Sequence, residues 1–220
     1  MAMTASSGVA QGAGSLPAGE AERSPFLRTT ELLAPYQPAK PLITLSLGEP
    51  QHPVPDFVGP VLARYIADFG RYPIAKGIEP FRRAAANWLS TRFQLPRPID
   101  PETELLVLNG SREGLFFAAL TAARYVGERR GRPAILIPNP FYPAYAAGAR
   151  AAGCEAIYLP TTLANGFLPD LDALDDATLA RTVAIFIASP ANPQGAVATP
   201  DYFARLKQLA DRFGFMTLSD

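Results

Sequence analysis

The sequence predicts an α/β protein with a mostly parallel sheet. Short runs of β-branched or leucine-rich residues alternate with longer segments of helical period, which is the pattern of strands that alternate with helices. Several of the short runs are apolar at every position, as expected of strands that helices cover on both faces. With 48% hydrophobic residues, the chain can also build a large core.

Six strands and two amphipathic helices are predicted. The strands are Leu42–Leu47, Leu105–Leu108, Ala134–Ile137, Ala156–Leu159, Val183–Ala188 and Phe215–Leu218. One helix carries a stripe made of Phe81, Ala85, Trp88, Leu89 and Phe93, and the other carries Phe203, Leu206, Ala210 and Phe213. We expect both stripes to face the core, and proline marks the start of the second helix at Pro200.

Three regions are expected along the chain. Residues 1–24 are small and polar and predict a disordered leader, residues 25–50 an N-terminal arm with part of a small domain, and residues 51–220 the large domain. The leader lacks a basic start and an apolar centre, so we expect a cytoplasmic protein without a secretory signal. Because the last predicted strand runs directly into Asp220 with no helix after it, we expect the large domain to be incomplete at its C-terminus.

Composition argues against several classes of protein. Basic and acidic residues balance at 20 each, so the chain lacks the charge excess that binds nucleic acid or an anionic membrane. The single cysteine, Cys154, and the single histidine, His52, are too few for a disulfide framework or a zinc cluster, and no metal is expected. We expect Cys154 in the core, His52 on the surface and Trp88 in helix packing.

Four segments that follow predicted strands carry candidate chemistry. The first joins Leu108 to a helix that begins near Ser111, where Gly110 and free backbone N–H groups could bind a phosphate. An ordinary capped turn would also explain it, but it is neither a GxGxxG nor a Walker motif. The second, Pro140–Tyr145, places aromatic rings where α/β sheets bind ligands, although they could simply pack against the sheet edge.

The other two segments offer an amide and a carboxylate. Pro190 and Pro193 restrict the backbone on both sides of Asn192 and could orient its amide, although a plain turn explains the same residues. Asp220 could pair with a cationic ring nitrogen or could cap a following helix. Taken together, a phosphate cradle, a stacking ring, an oriented amide and an acid suit pyridoxal 5'-phosphate, which is phosphorylated, planar and cationic.

These motifs resemble those of the class I/II aminotransferases of pyridoxal-phosphate fold type I. The resemblance covers roughly residues 25–220. Within that family, the sequence is most similar to N-succinyldiaminopimelate aminotransferases of lysine biosynthesis, and the segments that carry this likeness are Ser46–Pro53, Asn109–Glu113 and Asn139–Tyr142. The resemblance implies a transferase that moves an amino group from glutamate to a keto acid, here N-succinyl-2-amino-6-ketopimelate.

The resemblance also implies a role for each site residue. Ser111 and Arg112 would hold the cofactor phosphate, Tyr142 would stack on the ring, Asn192 would bond the ring hydroxyl, and Asp220 would pair with the ring nitrogen. Gly48 would approach the substrate carboxylate, and Tyr72 would reach the phosphate in the neighbouring subunit of a homodimer.

The sequence departs from the family pattern at two points. The family's Schiff-base lysine and the arginine that binds the substrate carboxylate lie beyond Asp220, so we expect this chain to be inactive alone. The family's usual Asn-Pro-Thr-Gly reads Asn-Pro-Gln-Gly, with Gln194 at a position whose side chain is assigned no role.

Other functions stay open at this level. The same cofactor contacts occur in aspartate or aromatic aminotransferases and in cofactor-dependent lyases. A non-catalytic regulator with an aminotransferase-like domain would need a DNA-binding module that the leader does not provide. A nucleotide-binding Rossmann domain would need the glycine fingerprint that is missing.

Overall fold

The computed structural model describes residues 25–41, 43, 48, 50 and 52–220. These residues divide into two compact units, one that ends at Arg71 and one that spans Tyr72–Asp220. The first unit contains helices α1 (Pro25–Leu33) and α2 (Val58–Arg64) and a 3-10 turn at Ile66–Gly70. The predicted strand Leu42–Leu47 falls almost entirely outside the described residues. Within the described part of the chain, no helix has the length and apolar character that a membrane crossing requires.

The second unit alternates helices and strands, as predicted. Its helices are α3 (Glu79–Arg92), α4 (Ser111–Val126), α5 (Pro143–Ala151), α6 (Asp176–Arg181) and α7 (Pro200–Phe213). Its strands are β1 (Ala134–Asn139), β2 (Glu155–Pro160), β3 (Thr182–Ile187) and β4 (Met216–Ser219), and a 3-10 turn lies at Leu163–Asn165. Four of the six predicted strands are thus confirmed to within two residues at each end, and α7 begins at Pro200 as expected.

The four strands form one parallel sheet in the order β2-β1-β3-β4. The two central strands are the most buried: Ile135, Leu136 and Ile185 have no exposed surface. Strands that are apolar at every position require cover on both faces, and this sheet has it. The predicted α/β class with a parallel sheet is confirmed.

Helices pack against both faces of the sheet. On one face, α4 and α5 contribute small buried residues, among them Ala119 and Ala149, and Tyr145 stacks on Phe186 of β3. On the other face, α7 contributes Leu206 and Leu209. The α7 stripe therefore faces the core as predicted. Cys154 is 1% exposed and belongs to the first of these clusters, so its prediction is confirmed, and His52 is exposed as expected.

The predicted strand Leu105–Leu108 does not form. Its residues alternate between half-buried and exposed, as in a strand, but the segment pairs with no strand in the described part of the chain. Its side chains instead fill space beside two glycines, Val107 against Gly77 and Leu108 against Gly114. Strand identity depends on a hydrogen-bonded neighbour, which the alternating pattern does not supply.

The predicted core-facing stripe of α3 is also wrong. Phe81, Trp88 and Phe93 are 54%, 59% and 57% exposed, so Trp88 is not a core residue. The helix buries Arg82 and Ala86 instead. The Arg82 side chain donates to the carbonyl oxygens of Gly77 and Pro101 and pairs with Glu102, which joins α3 to the loops around it. Helical period identifies an apolar face but not the surface that covers it.

Candidate functional site

The candidate site lies at the carboxyl edge of the parallel sheet. Because the strands run in the same direction, the segments that follow β1, β2 and β3 all leave the sheet at this edge, where open α/β sheets bind ligands. These segments line a small cleft, to which Phe141, Tyr145, Thr161, Asn192 and Gln194 contribute.

Asp220 lies beside β3 at this edge. Its backbone N–H donates to the Ile187 carbonyl at 2.9 Å, and its own carbonyl accepts from the Ser189 N–H at 3.2 Å, so the pairing of β4 with β3 extends to this residue. Its side chain is exposed and accepts a hydrogen bond from the Tyr145 hydroxyl. The backbone of Asp220 is therefore held at the end of β3, and its carboxylate is held by one tyrosine.

Tyr145 connects this carboxylate to the core. Its ring is 1% exposed and stacks on Phe186 with centroids 4.3 Å apart and planes 9° from parallel. Burial, followed by the hydrogen bond to Asp220, raises the pKa of Tyr145, so the phenol stays a neutral donor. Sequence reasoning assigned no role to this residue, although the spacing of three between Tyr142 and Tyr145 at the start of a helix already indicated adjacent rings.

Tyr142 lies between Tyr145 and Arg112. The rings of Tyr142 and Tyr145 meet edge to face with centroids 6.0 Å apart. The Nε of Arg112 donates to the Tyr142 hydroxyl at 2.7 Å, and this bond raises the pKa of Arg112. Tyr142 is half-buried, which leaves part of the ring accessible. The structure thus joins Arg112, Tyr142, Tyr145 and Asp220 in one continuous chain of contacts.

The start of α4 has the features of an anion site. Gly110 precedes the helix with φ 130° and ψ 154°, a conformation that is essentially restricted to glycine. No side chain caps this end, and a Cβ built at Gly110 would have no heavy atom within 4 Å. Backbone N–H groups at Ser111 and Arg112 are therefore left for another acceptor, and both residues are exposed.

Asn192 lies in the loop of residues 188–197 that follows β3. The Ala191 N–H donates to the Ala196 carbonyl at 2.7 Å, and the Gly195 N–H donates to the Ala191 carbonyl at 2.6 Å, so the loop closes on itself. The Asn192 side chain is exposed and lines the cleft together with Tyr145. The side-chain amide of Gln194 donates to Thr161 Oγ1 at 2.8 Å, a contact that sequence reasoning did not anticipate.

Two predicted site residues take no part in these contacts. Gly48 belongs to the first compact unit and is exposed, with open space where a side chain would begin. Tyr72 begins the second unit and its side chain is fully exposed. Among the described residues, no group of three or more metal-ligating side chains could hold a metal ion.

Comparison with known proteins gives one consistent result. The family model "Aminotransferase class I and II" matches residues 40–220. An LL-diaminopimelate aminotransferase of Desulforudis audaxviator is 35% identical over 198 residues, which cover 89% of this chain and 48% of the relative. The chain thus spans about half the length of the curated relatives that it matches.

Solved aminotransferase structures also match most of this chain and about half of their own length. An aminotransferase from Neisseria meningitidis Z2491 matches 90% of this chain and 50% of its own, with 31% identity and a TM-score of 0.79. A probable N-succinyldiaminopimelate aminotransferase from Thermus thermophilus matches 81% of this chain and 46% of its own, with 30% identity and a TM-score of 0.69. The fold is that of the pyridoxal-phosphate-dependent fold type I enzymes, and the chain belongs to the aminotransferase class I and II family.

Proposed function

We propose that this chain supplies the cofactor-binding half of a pyridoxal-phosphate-dependent aminotransferase. The observation that carries the proposal is the convergence of Arg112, Tyr142, Asn192 and Asp220 at one edge of the sheet. Arg112 and Asp220 are joined through Tyr142 and Tyr145, and Asn192 lines the same cleft as Tyr145. Pyridoxal phosphate is the cofactor of this family.

The chemistry of these groups suits the cofactor. The open space at Gly110, together with the N–H groups at the start of α4, suits a phosphate dianion. The exposed carboxylate of Asp220 suits a protonated ring nitrogen, and an amide such as that of Asn192 can donate to a ring hydroxyl. The half-buried ring of Tyr142 offers a surface for stacking. When bound, the cofactor would supply the electron sink for amino transfer.

In this proposal each residue has one role. Ser111 and Arg112 hold the phosphate, Tyr142 orients the ring plane, Asn192 bonds the ring hydroxyl, and Asp220 keeps the ring nitrogen protonated. Gly48 would approach the substrate carboxylate from the N-terminal arm. No role in this proposal is assigned to a lysine that binds the cofactor covalently or to an arginine that binds the substrate carboxylate.

We further propose that the active enzyme is a cytoplasmic homodimer in which Tyr72 reaches the cofactor phosphate of the partner subunit. The complete exposure of its side chain, 101% of the reference value, supports a role outside its own compact unit. Analytical ultracentrifugation of the full-length enzyme should give a dimer. Replacing Tyr72 with Phe should then weaken cofactor affinity, while ultracentrifugation should still find a dimer.

The proposed reaction moves an amino group from glutamate to a keto acid with a diaminopimelate skeleton. N-succinyl-2-amino-6-ketopimelate is the first candidate, supported by the sequence motifs and by the Thermus thermophilus structure. A second candidate is the reaction of the LL-diaminopimelate aminotransferases, supported by 35% identity to one of them. Steady-state kcat/KM of the full-length enzyme with LL-diaminopimelate and with the N-succinylated amine would separate the two candidates.

The cofactor site can be tested on the 220-residue chain itself. We expect titration with pyridoxal phosphate, followed by absorbance and fluorescence, to give saturable binding. Replacing Asp220 with Asn keeps the shape but removes the charge, and should weaken binding about tenfold or more because a charge-assisted bond is lost. Asp211→Asn is the matched control, since Asp211 pairs with Lys207 on the exposed face of α7. Equal affinity for the chain and its Asp220→Asn variant would refute the proposed site.

A complementary measurement separates a transaminase from a lyase. Mixing the full-length enzyme with glutamate should convert the bound cofactor from its aldehyde to its amino form, because only amino transfer changes the cofactor in this way. Release of a fragmented or deaminated substrate without that spectral change would favour the lyase.

A further inference from the structure

The residue that departs from the family motif makes a defined contact in this structure. Gln194 lies two residues after Asn192, and its Nε2 donates to Thr161 Oγ1 at 2.8 Å. Thr161 directly follows β2, so this contact crosses from the loop after β3 to the segment after β2. Both side chains line the cleft that also contains Asn192.

Thr161 is a well-anchored acceptor. It is 7% exposed, and its hydroxyl donates to the Asn139 carbonyl at 2.8 Å while its backbone N–H donates to the same oxygen at 2.9 Å. Because the Thr161 hydroxyl donates its proton to the Asn139 carbonyl, its oxygen accepts the hydrogen bond from the Gln194 amide. The Gln194 amide is thereby tied to the ends of β1 and β2 at once.

The other bonds of this loop restrain different parts of it. Ser189 fixes the root of the loop through its N–H bond to the Asp220 carbonyl, and its hydroxyl accepts from the Ala198 N–H. The bonds among Ala191, Gly195 and Ala196 close the turn but do not connect it to another strand. Gln194 supplies a side-chain connection between the tip of the loop and the end of β2, which lies on the other side of β1 from β3.

We propose that Gln194 is a positioning residue, which fixes the Asn192 amide in the cleft by holding the loop of residues 188–197 against Thr161. Pro193 separates the two residues and its ring restricts φ, so a restraint at Gln194 limits the orientation of Asn192. The shorter threonine of the usual family motif lacks the amide donor that makes this contact. This inference rests on the proposed cofactor site.

The test combines loop exchange with cofactor affinity in the 220-residue chain. Gln194→Met keeps the approximate size of the side chain but removes the donor. We expect faster hydrogen exchange in peptides that cover residues 189–199 without cofactor, and a dissociation constant for pyridoxal phosphate raised about two- to tenfold. Thr161→Val should reproduce both effects, because the Asn139 carbonyl still accepts from the backbone N–H. Thr161→Ser, which keeps the hydroxyl, should restore nearly normal values.

A double-variant cycle distinguishes positioning from a merely structural role. If Gln194 acts through Asn192, Gln194→Met should no longer change the dissociation constant in an Asn192→Ala background. An equal loss in both backgrounds, or unchanged exchange and affinity in Gln194→Met, would overturn the inference. If Asn192→Ala itself leaves the affinity unchanged, the proposed role of Asn192 fails, and the functional part of this inference fails with it. The exchange data would still test whether the bond between Gln194 and Thr161 restrains the loop.

Discussion

At the scale of single residues, the hydrogen bond between Tyr145 and Asp220 explains how an exposed acid is held in one orientation. A carboxylate at the end of a strand is free to rotate unless a donor fixes it. Tyr145 is suited to this role because its ring is clamped by Phe186 and its hydroxyl reaches the cleft. Burial and this bond raise the pKa of Tyr145, so its phenol remains protonated and donates the hydrogen bond.

The burial of Tyr145, together with its bond to Asp220, predicts a loss of stability at high pH. The folded-state pKa of Tyr145 lies above its ordinary value of 10.0, so its contribution is complete below about pH 10. Above that pH the unfolded chain releases the phenolic proton and the folded chain retains it, which lowers the free energy of unfolding by up to about 1.4 kcal/mol per pH unit. Tyr145→Phe should make the decline between about pH 10 and 11 shallower, as measured by urea unfolding.

Two further tyrosines serve as references for this measurement. Tyr202 is half-buried, its hydroxyl donates to the Pro169 carbonyl at 3.0 Å, and burial raises its pKa, so Tyr202→Phe should reduce the alkaline decline as well. Tyr125 is 80% exposed, and Tyr125→Phe should leave the decline unchanged. If Tyr145→Phe behaved like Tyr125→Phe, the pKa of Tyr145 would not be raised in the folded chain, which would contradict the prediction.

At the scale of secondary-structure elements, the two ends of α4 allow strain and cofactor binding to be separated. Gly110 and Gly127 flank this helix, and both adopt conformations that are essentially restricted to glycine, at φ 130° and ψ 154° and at φ 77° and ψ −155°. An added Cβ meets no heavy atom within 4 Å at either position. Alanine at each position should therefore cost a similar amount, about 1–3 kcal/mol of unfolding free energy.

Cofactor affinity should respond to only one of the two substitutions. Gly110→Ala places a methyl group at the proposed phosphate site and disturbs the N–H groups of the first helical turn, so we expect pyridoxal phosphate to bind about tenfold more weakly. Gly127→Ala lies at the opposite end and should leave the affinity unchanged. Calorimetry can measure both quantities, and equal losses of affinity in the two variants would exclude the start of α4 as the phosphate site.

The elements that sequence patterns predicted well are those that pack against other described helices and strands. β1 and β3 are apolar except at one terminal residue each, Asn139 and Thr182, and their partners are other described strands, so local pattern and final burial agree. Leu105–Leu108 has an equally clear pattern but no paired strand among the described residues, and the aromatic side chains of the α3 stripe are exposed there. A hydrophobic pattern identifies the face of an element that is suited to burial. Which element covers that face depends on the rest of the fold.

The candidate site follows the same logic. Parallel strand order brings Tyr142, Asn192 and Asp220 to one edge, which the sequence could predict because each follows its own strand. The contacts of Tyr145 and Gln194 could not be predicted in this way. They depend on the direction of individual side chains and on the order of β1, β2 and β3 in the sheet. The order of the strands along the chain provides neither.

At the scale of the whole molecule, the groups proposed to hold the cofactor include none of the three lysines of this chain. The lysines are Lys40, Lys76 and Lys207. Lys76 pairs with Glu102 at 3.0 Å and Lys207 pairs with Asp211, and neither lines the cleft. Lys40 is exposed and belongs to the first compact unit. Binding without covalent attachment is therefore expected.

This arrangement gives a prediction that does not depend on catalytic activity. After incubation with pyridoxal phosphate and reduction with borohydride, peptide mass spectrometry should find only low labelling at Lys40, Lys76 and Lys207. That labelling should rise linearly with the cofactor concentration, as expected of exposed amines, while the noncovalent signal saturates. Asp220→Asn should reduce the saturable signal and leave the lysine labelling unchanged. Stoichiometric, saturable labelling of a single lysine would contradict the prediction, because it would place that amine within reach of the bound cofactor aldehyde.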